Sequence, residues 1–236
     1  MKRIISTQIL LLITSTLCGQ NAFQNLDFEL ALPDPTQPPG QVSAAAALPS
    51  WTPHIGSNQV SSVYFNSPTL DSSGISVMSS NSQFGFPALQ GSFSVLLQAG
   101  LVLTPTGSDR VPASIEQTGL IPADAKSIQF QAFGGFASAG LTVSLGGQNI
   151  DFNAISVSGN VALFAGDVSS FAGQTLELRF LALPSAAQLP PSRWEIDGIE
   201  FSNIAIPEPA TGALVLIGGA IFGIRGWRER REGLPS

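Results

Sequence analysis

The chain has 236 residues and carries 16 Asp and Glu against 10 Lys and Arg, which gives a net charge of −6 at pH 7. Nucleic acid is a poor partner for such a chain, because binding it requires cations that replace the phosphate counterions. The single cysteine and single histidine exclude a framework of several disulfides and a metal centre built from several histidines.

Residues 1–22 have the pattern of a secretory signal peptide. Lys2 and Arg3 precede an apolar run at residues 9–13, and small or polar residues follow it. A charged start, an apolar centre and a cleavage region in this order predict export. The apolar run is far shorter than the roughly 20 residues of a membrane-spanning helix, which disfavours a retained anchor.

Cys18 leaves a lipoprotein as the alternative, because it stands where a lipidated cysteine would lie. Leu17 immediately precedes it, at a position where a lipoprotein site needs a small residue. We therefore expect ordinary cleavage near Gly19 or Ala22, which leaves the mature chain without a thiol or a disulfide.

Residues 23–206 are expected to form one exported domain. This region holds thirteen carboxylates against four Lys or Arg side chains, a balance of −9. Such a charge favours solubility and is compatible with divalent cations. Gly, Ser, Ala, Val and Phe dominate the region, and uninterrupted helix-forming stretches are absent, which favours many short strands joined by turns.

Short runs of β-branched, aromatic and aliphatic residues recur along this domain between turn residues. They predict strands over residues 26–30, 60–65, 75–78, 93–98, 128–133, 141–145, 149–152, 176–183 and 194–201. Frequent turns without a helical period indicate an all-β fold, an antiparallel two-sheet β-sandwich.

Two local patterns specify turns. Gly146 and Gly147 separate the runs at 141–145 and 149–152, which predicts a β-hairpin, because a tight hairpin turn needs positive φ at its centre. The proline-rich stretch at 33–40 predicts an extended loop, because proline supplies no ladder donor and imposes polyproline geometry.

The run at 176–183 predicts which side of its strand is buried. Leu178 and Phe180 alternate with Glu177 and Arg179, and such alternation is typical of a strand with one buried and one wet side. We expect the two apolar side chains to face the core and the two charged ones to face solvent.

Few side chains of this domain are suited to chemistry or to stacking on a sugar ring. The candidates for stacking are Trp51, Tyr64 and Trp194, but large aromatics in a sandwich more often fill the core, and we expect Trp194 there. His54 lies in a stretch bounded by prolines and is expected to be a surface residue of a loop.

The segments at 25–29, 48–51 and 194–201 resemble the ends of jelly-roll, galactose-binding-like domains related to carbohydrate-binding modules. The resemblance implies that a structural calcium ion lies where the first strand meets the last. The positions of this chain that match the ligands are Glu29 and Asp197. Fold does not fix function, so polysaccharide binding follows from the resemblance alone.

The last strand itself gives an independent reason to look there. Trp194 and Ile196 share one face, whereas Ile199 and Phe201 fall on the other unless the strand slips by one residue. Gly198 is suited to such a bulge, which would aim the neighbouring carboxylate and carbonyls at one point, as calcium requires. The alternative is that Asp27, Glu29, Glu195 and Asp197 decorate wet strand faces.

The C-terminal segment 207–236 has three parts in a specific order: Pro207-Glu208-Pro209, an uncharged Gly-rich run at 210–224, and a basic end. The basic end carries Arg225, Arg228, Arg230 and Arg231. Together these parts resemble the PEP-CTERM sorting signal, which implies recognition by an exosortase in the membrane. A plain C-terminal anchor with a proline-stiffened stalk is the alternative.

The uncharged run predicts one short transmembrane helix. Fifteen residues at about 1.5 Å each cover about 22 Å, less than the roughly 30 Å hydrocarbon core, so the arginines and Trp227 must extend it. The basic end should stay in the cytoplasm, which places the domain at 23–206 outside the cell, at the surface or in the extracellular matrix.

Catalytic motifs are not evident. We find no nucleophile elbow, phosphate-binding loop or zinc-binding His-Glu-x-x-His. We therefore expect a non-enzymatic surface or matrix protein that associates with extracellular polysaccharide. The alternatives are a structural matrix protein without a ligand and, less favoured, a glycan-acting hydrolase.

Overall fold

The computed structural model describes residues 22–134, 140–186 and 189–206. The described strands are, in chain order, β1 (Gly40–Ser43), β2 (Thr52–Ile55), β3 (Asn58–Gln59), β4 (Ser62–Phe65), β5 (Gly74–Ser79), β6 (Phe93–Thr104), β7 (Gly107–Val111), β8 (Ala113–Leu120), β9 (Ser127–Gly134), β10 (Leu141–Leu145), β11 (Gln148–Asn149), β12 (Phe152–Ser158), β13 (Val161–Asp167), β14 (Thr175–Ala182) and β15 (Ser192–Ser202). One short helix, α1 (Ala44–Ala47), follows β1, and a 3-10 turn at Ser169–Phe171 precedes β14.

The strands form two sheets. The larger has nine strands in the order β1-β4-β5-β6-β15-β9-β13-β12, with β7 paired to β6, and the smaller has the order β11-β10-β14-β8-β2-β3. This confirms the predicted all-β fold with two sheets. The expectation of purely antiparallel pairing is wrong at one place, because β4 and β5 run parallel. The jelly-roll resemblance stays a prediction.

The two sheets enclose a single hydrophobic cluster to which both contribute. Phe180 of the smaller sheet meets Phe130 of the larger sheet edge-on, with ring centroids 5.2 Å apart. Trp51 packs on Phe180 from the side at 6.4 Å. Trp194 is partly buried and contacts Phe164 at 6.4 Å, so its predicted packing against the core is confirmed.

The predicted faces and turns are largely confirmed. Leu178 and Phe180 are fully buried, whereas Glu177 and Arg179 lie on the opposite side of β14. The diglycine turn joins β10 to β11 with φ of 56° and 79°. The predicted run at 149–152 is divided between β11 and β12. Ile150, which lies between them, is part of the core, and its N–H donates to the Val143 carbonyl at 2.8 Å.

The predicted first strand at 26–30 is wrong: this segment is a series of turns. Asn25 and Phe28 have φ of 52° and 58°, and asparagine tolerates this left-handed conformation. The Asn25 side chain takes the place of a ladder partner, since its Oδ1 accepts from the Leu30 N–H at 2.9 Å and its Nδ2 donates to the Pro49 carbonyl at 3.1 Å. The turn directs Phe28 into the core against Trp51.

The predicted bulge in β15 is confirmed. Its register against β9 shifts by one residue between Asp197 and Glu200, and Gly198 has a φ of 54°. Ile196 and Ile199 therefore both enter the core, at 0% and 5% exposure. Without the extra residue, one of them would point away from it.

The predicted signal peptide and sorting segment lie outside the described residues, apart from Ala22. Within the described ranges, no helix has the length and apolar character needed to cross a membrane.

Phe180→Ala is expected to lower the free energy of unfolding of the mature protein by roughly 3–5 kcal/mol, because it leaves a cavity where both sheets meet. Denaturant titration measures the loss. Phe84→Ala is the matched control, since Phe84 is 54% exposed, and should change stability by less than about 0.5 kcal/mol. Equal losses in the two variants would contradict this assignment of the core.

Candidate functional site

Two carboxylates of β15, Glu195 and Asp197, are fully buried on the face of the larger sheet that points away from the sandwich core. The segment 80–92, which joins β5 to β6, lies over this face. Phe86 of that segment packs on Phe133 at 5.9 Å. The interpretation that both acids decorate a wet strand face is therefore wrong, because β15 is covered on both sides.

Asp197 fastens the covering segment to the bulge. Its Oδ2 accepts from the Gln90 N–H at 2.9 Å, and its Oδ1 accepts from the Gly198 N–H at 2.7 Å. The Gln90 side chain accepts in turn from Gln131 at 2.7 Å. A Cβ at position 198 would lie 2.7 Å from the side-chain amide nitrogen of Gln90, so a larger residue there would displace Gln90 as well as strain the left-handed backbone.

Glu29 binds the same segment a little further along the chain. Its Oε1 accepts from the N–H groups of Ser92 and Phe93 at 2.7 and 3.1 Å. The turn that carries it also meets β15 directly, because the Leu26 carbonyl accepts from the Ile199 N–H at 3.0 Å. The structure thus brings the two predicted ligands, Glu29 and Asp197, to one short stretch of backbone. We call Asp27, Glu29, Glu195 and Asp197 the carboxylate cluster.

Two members of the carboxylate cluster, Asp197 and Glu195, have raised pKa values. Burial, assisted by the negative charges of Glu29 and Asp27, raises the pKa of Asp197 to about 7, although two backbone donors act to lower it. Burial also raises the pKa of Glu195 to about 7, with the Ser94 hydroxyl opposing the shift and Asp197 adding to it. Sequence reasoning did not single out Glu195, because nothing local reveals that both faces of β15 are covered.

The oxygens of this cluster partly fit a hard cation. Calcium takes six to eight oxygen ligands, and Glu29 and Asp197 supply carboxylates in a region of concentrated negative charge. Across residues 22–134, 140–186 and 189–206, no group of three or more His, Cys, Asp or Glu side chains converges closely enough to hold a metal. A calcium ion here would therefore draw most of its ligands from carbonyls and water.

A second polar site lies on the outer face of the smaller sheet. It is an open concavity of about 560 Å³, lined chiefly by His54, Glu116, Glu177 and Arg179. His54 is on strand β2, so its expected loop position is wrong, and its side chain is only 15% exposed. The strand forms although it contains a proline, since Pro53 still accepts from the Val60 N–H through its carbonyl.

Glu116 organises this concavity. It lies directly across the ladder from Arg179, whose Nε is 3.6 Å from Glu116 Oε2 and whose guanidinium also donates to the Ser114 hydroxyl at 3.0 Å. His54 Nδ1 is 3.6 Å from the other carboxylate oxygen. This histidine nitrogen is buried and lacks a hydrogen-bond partner among the described residues. The site therefore offers both donors and acceptors from rigid strands.

Beyond these two sites, the C-terminus matches a known signal. Residues 205–231 match the family described as the PEP-CTERM protein-sorting motif. The chain carries a PEP-CTERM motif. This motif implies an exported protein that is sorted to the cell surface through an exosortase, a membrane enzyme. The predicted residues Pro207, Glu208, Pro209, Arg225, Arg228, Arg230 and Arg231 all fall within the match and outside the described residues.

Other comparisons add little to the PEP-CTERM match. Comparison with curated proteins finds no match. Among solved structures, the chain is similar to the K1 cleaved adhesin domain of Lys-gingipain from Porphyromonas gingivalis W83, at 13% identity and a TM-score of 0.39. That similarity covers 72% of this chain and 100% of the other, and at this level it carries no argument about function.

The matched sorting motif begins just after β15, which lies in the middle of the larger sheet. β15 ends at Ser202, and the Ser127 hydroxyl donates to the Ile204 carbonyl at 2.8 Å. The chain is therefore fastened to the sheet immediately before the matched residues begin.

Asp197→Asn is expected to change how stability depends on pH. The pKa of Asp197 is higher in the folded protein than its ordinary value of 3.8, so its protonation stabilises the fold at low pH, and this contribution is lost as pH rises from about 4 to about 7. Melting temperatures measured in chelator should therefore fall less over this range in the variant than in the wild type.

Asp167→Asn is the control for this experiment, because Asp167 is exposed and its pKa is lowered by the Ser169 N–H. It should keep the wild-type loss between these two pH values. Parallel curves for the wild type and Asp197→Asn would show that Asp197 does not bind the extra proton.

Proposed function

We propose that this PEP-CTERM protein is a non-catalytic, polysaccharide-associated binding module of the cell surface or extracellular matrix. The observation that carries the proposal is the sorting motif at 205–231, placed directly after a rigid two-sheet domain. The apolar run at 210–224 would hold the chain in the membrane until the exosortase acts near Pro207-Glu208-Pro209. The resemblance to carbohydrate-binding jelly rolls supports the choice of polysaccharide.

The concavity on the smaller sheet is the site that we assign to the polysaccharide. Sugar hydroxyls both donate and accept hydrogen bonds, and Arg179 supplies donors where Glu116 and Glu177 supply acceptors. Strand-borne side chains hold such groups in fixed positions, which lowers the entropy lost on binding. Two carboxylates beside one guanidinium favour neutral sugars over acidic ones, because a uronate would meet like charge.

We also assign one structural calcium ion to Glu29 and Asp197. Asp197 is fully buried and lies within electrostatic reach of Glu29 and Asp27. A divalent cation would neutralise this concentrated charge and fix the 90–93 backbone that both ligands already hold. Its role would be structural, since the polysaccharide concavity lies on the other sheet.

A structural matrix protein without a specific ligand is the second candidate. It is favoured by the aromatic side chains: Trp51 is buried in the core, so it is withdrawn from any sugar-stacking surface, and Trp194 packs against Phe164. Binding of polysaccharide by the purified protein separates the two candidates.

Calcium is expected to raise the melting temperature of the mature protein, and chelation to lower it. Binding to the folded state alone adds about 2.7 kcal/mol when free calcium is a hundredfold above its dissociation constant. Asp197→Ala should remove the calcium dependence, whereas Asp167→Ala should retain it. Magnesium should substitute poorly, because it requires a tighter octahedral shell. Identical melting of the wild type in calcium and in chelator would remove this ion from the proposal.

The mature protein is expected to bind the neutral extracellular polysaccharide of the producing cells saturably, as measured by affinity electrophoresis or calorimetry. Glu177→Ala should weaken binding roughly tenfold or more, because it removes charge-assisted hydrogen bonds. Gln83→Ala, in a separate concavity formed by loops, is the control and should bind as the wild type does. Absence of saturable binding would favour the structural matrix protein.

A further inference from the structure

Five described strands lie at a sheet edge, and they differ sharply in length. One of them, β7, has five residues, pairs only with β6 and carries the charged residues Asp109 and Arg110. In the smaller sheet the edge strands β3 and β11 have two residues each. In the larger sheet β1 has four residues and follows the proline-rich loop. The remaining edge, β12 (Phe152–Ser158), has seven residues and is paired on one side only, by β13, among the described strands.

Natural sheets avoid long free edges, because the unpaired N–H and C=O groups accept a further strand. The usual protective devices on an edge are charged side chains, prolines, very short strands and β-bulges. Of these β12 has only a bulge at Ile155, and every residue after Phe152 is exposed.

The hairpin formed by β12 and β13 carries one charged residue, Asp167, at the last position of β13. From Phe152 to Phe164 the sequence contains no charged residue and no proline, although the domain at 23–206 has a balance of −9 from thirteen carboxylates and four cations. Two apolar side chains of β12 are left in solvent, Ile155 at 41% and Val157 at 67% exposure.

We propose that β12 is a self-association edge, at which a second copy of this chain adds its own β12 and joins two nine-stranded sheets into one. Two copies of an acidic domain repel each other over most of their surfaces. The uncharged part of the hairpin, residues 152–166, is the place where they meet with the least repulsion. A seven-residue edge buries less surface than a standard stable interface, so the association is weak and concentration-dependent, as suits a protein assembled at high local density.

The two strands pair antiparallel. In a parallel arrangement Asp151, just before the strand, would face its own counterpart, and like charges directly opposite are destabilising. In an antiparallel arrangement each Asp151 faces the neighbourhood of Gly159 on the other copy, which is uncharged. The same arrangement places Val157 of each copy near the apolar side chains of the other.

The test is sedimentation velocity of the mature protein, freed of polysaccharide, over a roughly hundredfold range of concentration. The average mass of the wild type should rise toward two copies. Val157→Lys should remain monomeric throughout, because a lysine on an edge strand opposes the addition of a further strand. Leu103→Lys is the matched control: Leu103 is 87% exposed on another hairpin, and its replacement should leave association unchanged. Equal melting temperatures would show that both variants are folded.

Cross-linking gives an independent measurement. The mature chain is expected to lack cysteine, so Ser156→Cys should form a disulfide between copies under mild oxidation much faster than Leu103→Cys. A wild type that stays monomeric over the whole range overturns the proposal. So does an association that both lysine variants reduce equally, or that neither reduces. The test does not depend on polysaccharide binding, so the two proposals fail separately.

Discussion

The extra residue at Gly198 keeps both halves of β15 in phase with the same hydrophobic core. Trp194 and Ile196 precede it, Ile199 follows it, and all three pack into or against one cluster. Because β15 lies between β6 and β9 in the centre of the larger sheet, an error of phase here would expose apolar residues across several strands. The arrangement of the sandwich therefore depends on one residue in the left-handed conformation, which glycine adopts without strain.

The bulge also explains how the Asp197 carboxylate is buried on the face of the larger sheet that points away from the core. A locally displaced strand turns the Gly198 N–H toward Asp197 and leaves space for Gln90 to cover it. Burying a carboxylate is unfavourable unless it is hydrogen-bonded or paired, and here backbone donors supply part of that compensation. The Glu29 carboxylate likewise accepts hydrogen bonds from the N–H groups of the adjoining residues, Ser92 and Phe93. Two acids far apart in sequence thus close one loop over the sheet.

Local patterns predicted what local physics controls. The sequence predicted three features correctly: the diglycine turn, the faces of β14 and the bulge at Gly198. Each depends on the φ preference of a residue or on the alternation of side chains along a strand. The same reasoning failed at residues 26–30, where the Asn25 side chain replaces a ladder partner. It also failed at His54, because pairing of β2 with β8 is a tertiary event that overrides the proline.

Only part of the carboxylate cluster was predictable. The meeting of Glu29 with Asp197 was inferred from resemblance, and the structure brings them together, but burial of Glu195 depends on the path of segment 80–92, which carries no periodic signal. The polar concavity of Glu116, Glu177 and Arg179 was not predicted at all. Its members come from separate strands, and only the register between those strands places them side by side.

The position of the sorting motif beyond β15 has a mechanical consequence. A load applied at the C-terminal end would pass along this strand into the middle of the larger sheet rather than into an edge. Ladder hydrogen bonds run perpendicular to the strands, so those to β6 and β9 would be sheared together instead of being peeled apart one after another. A tether attached at that end would therefore load a strand that is paired on both sides.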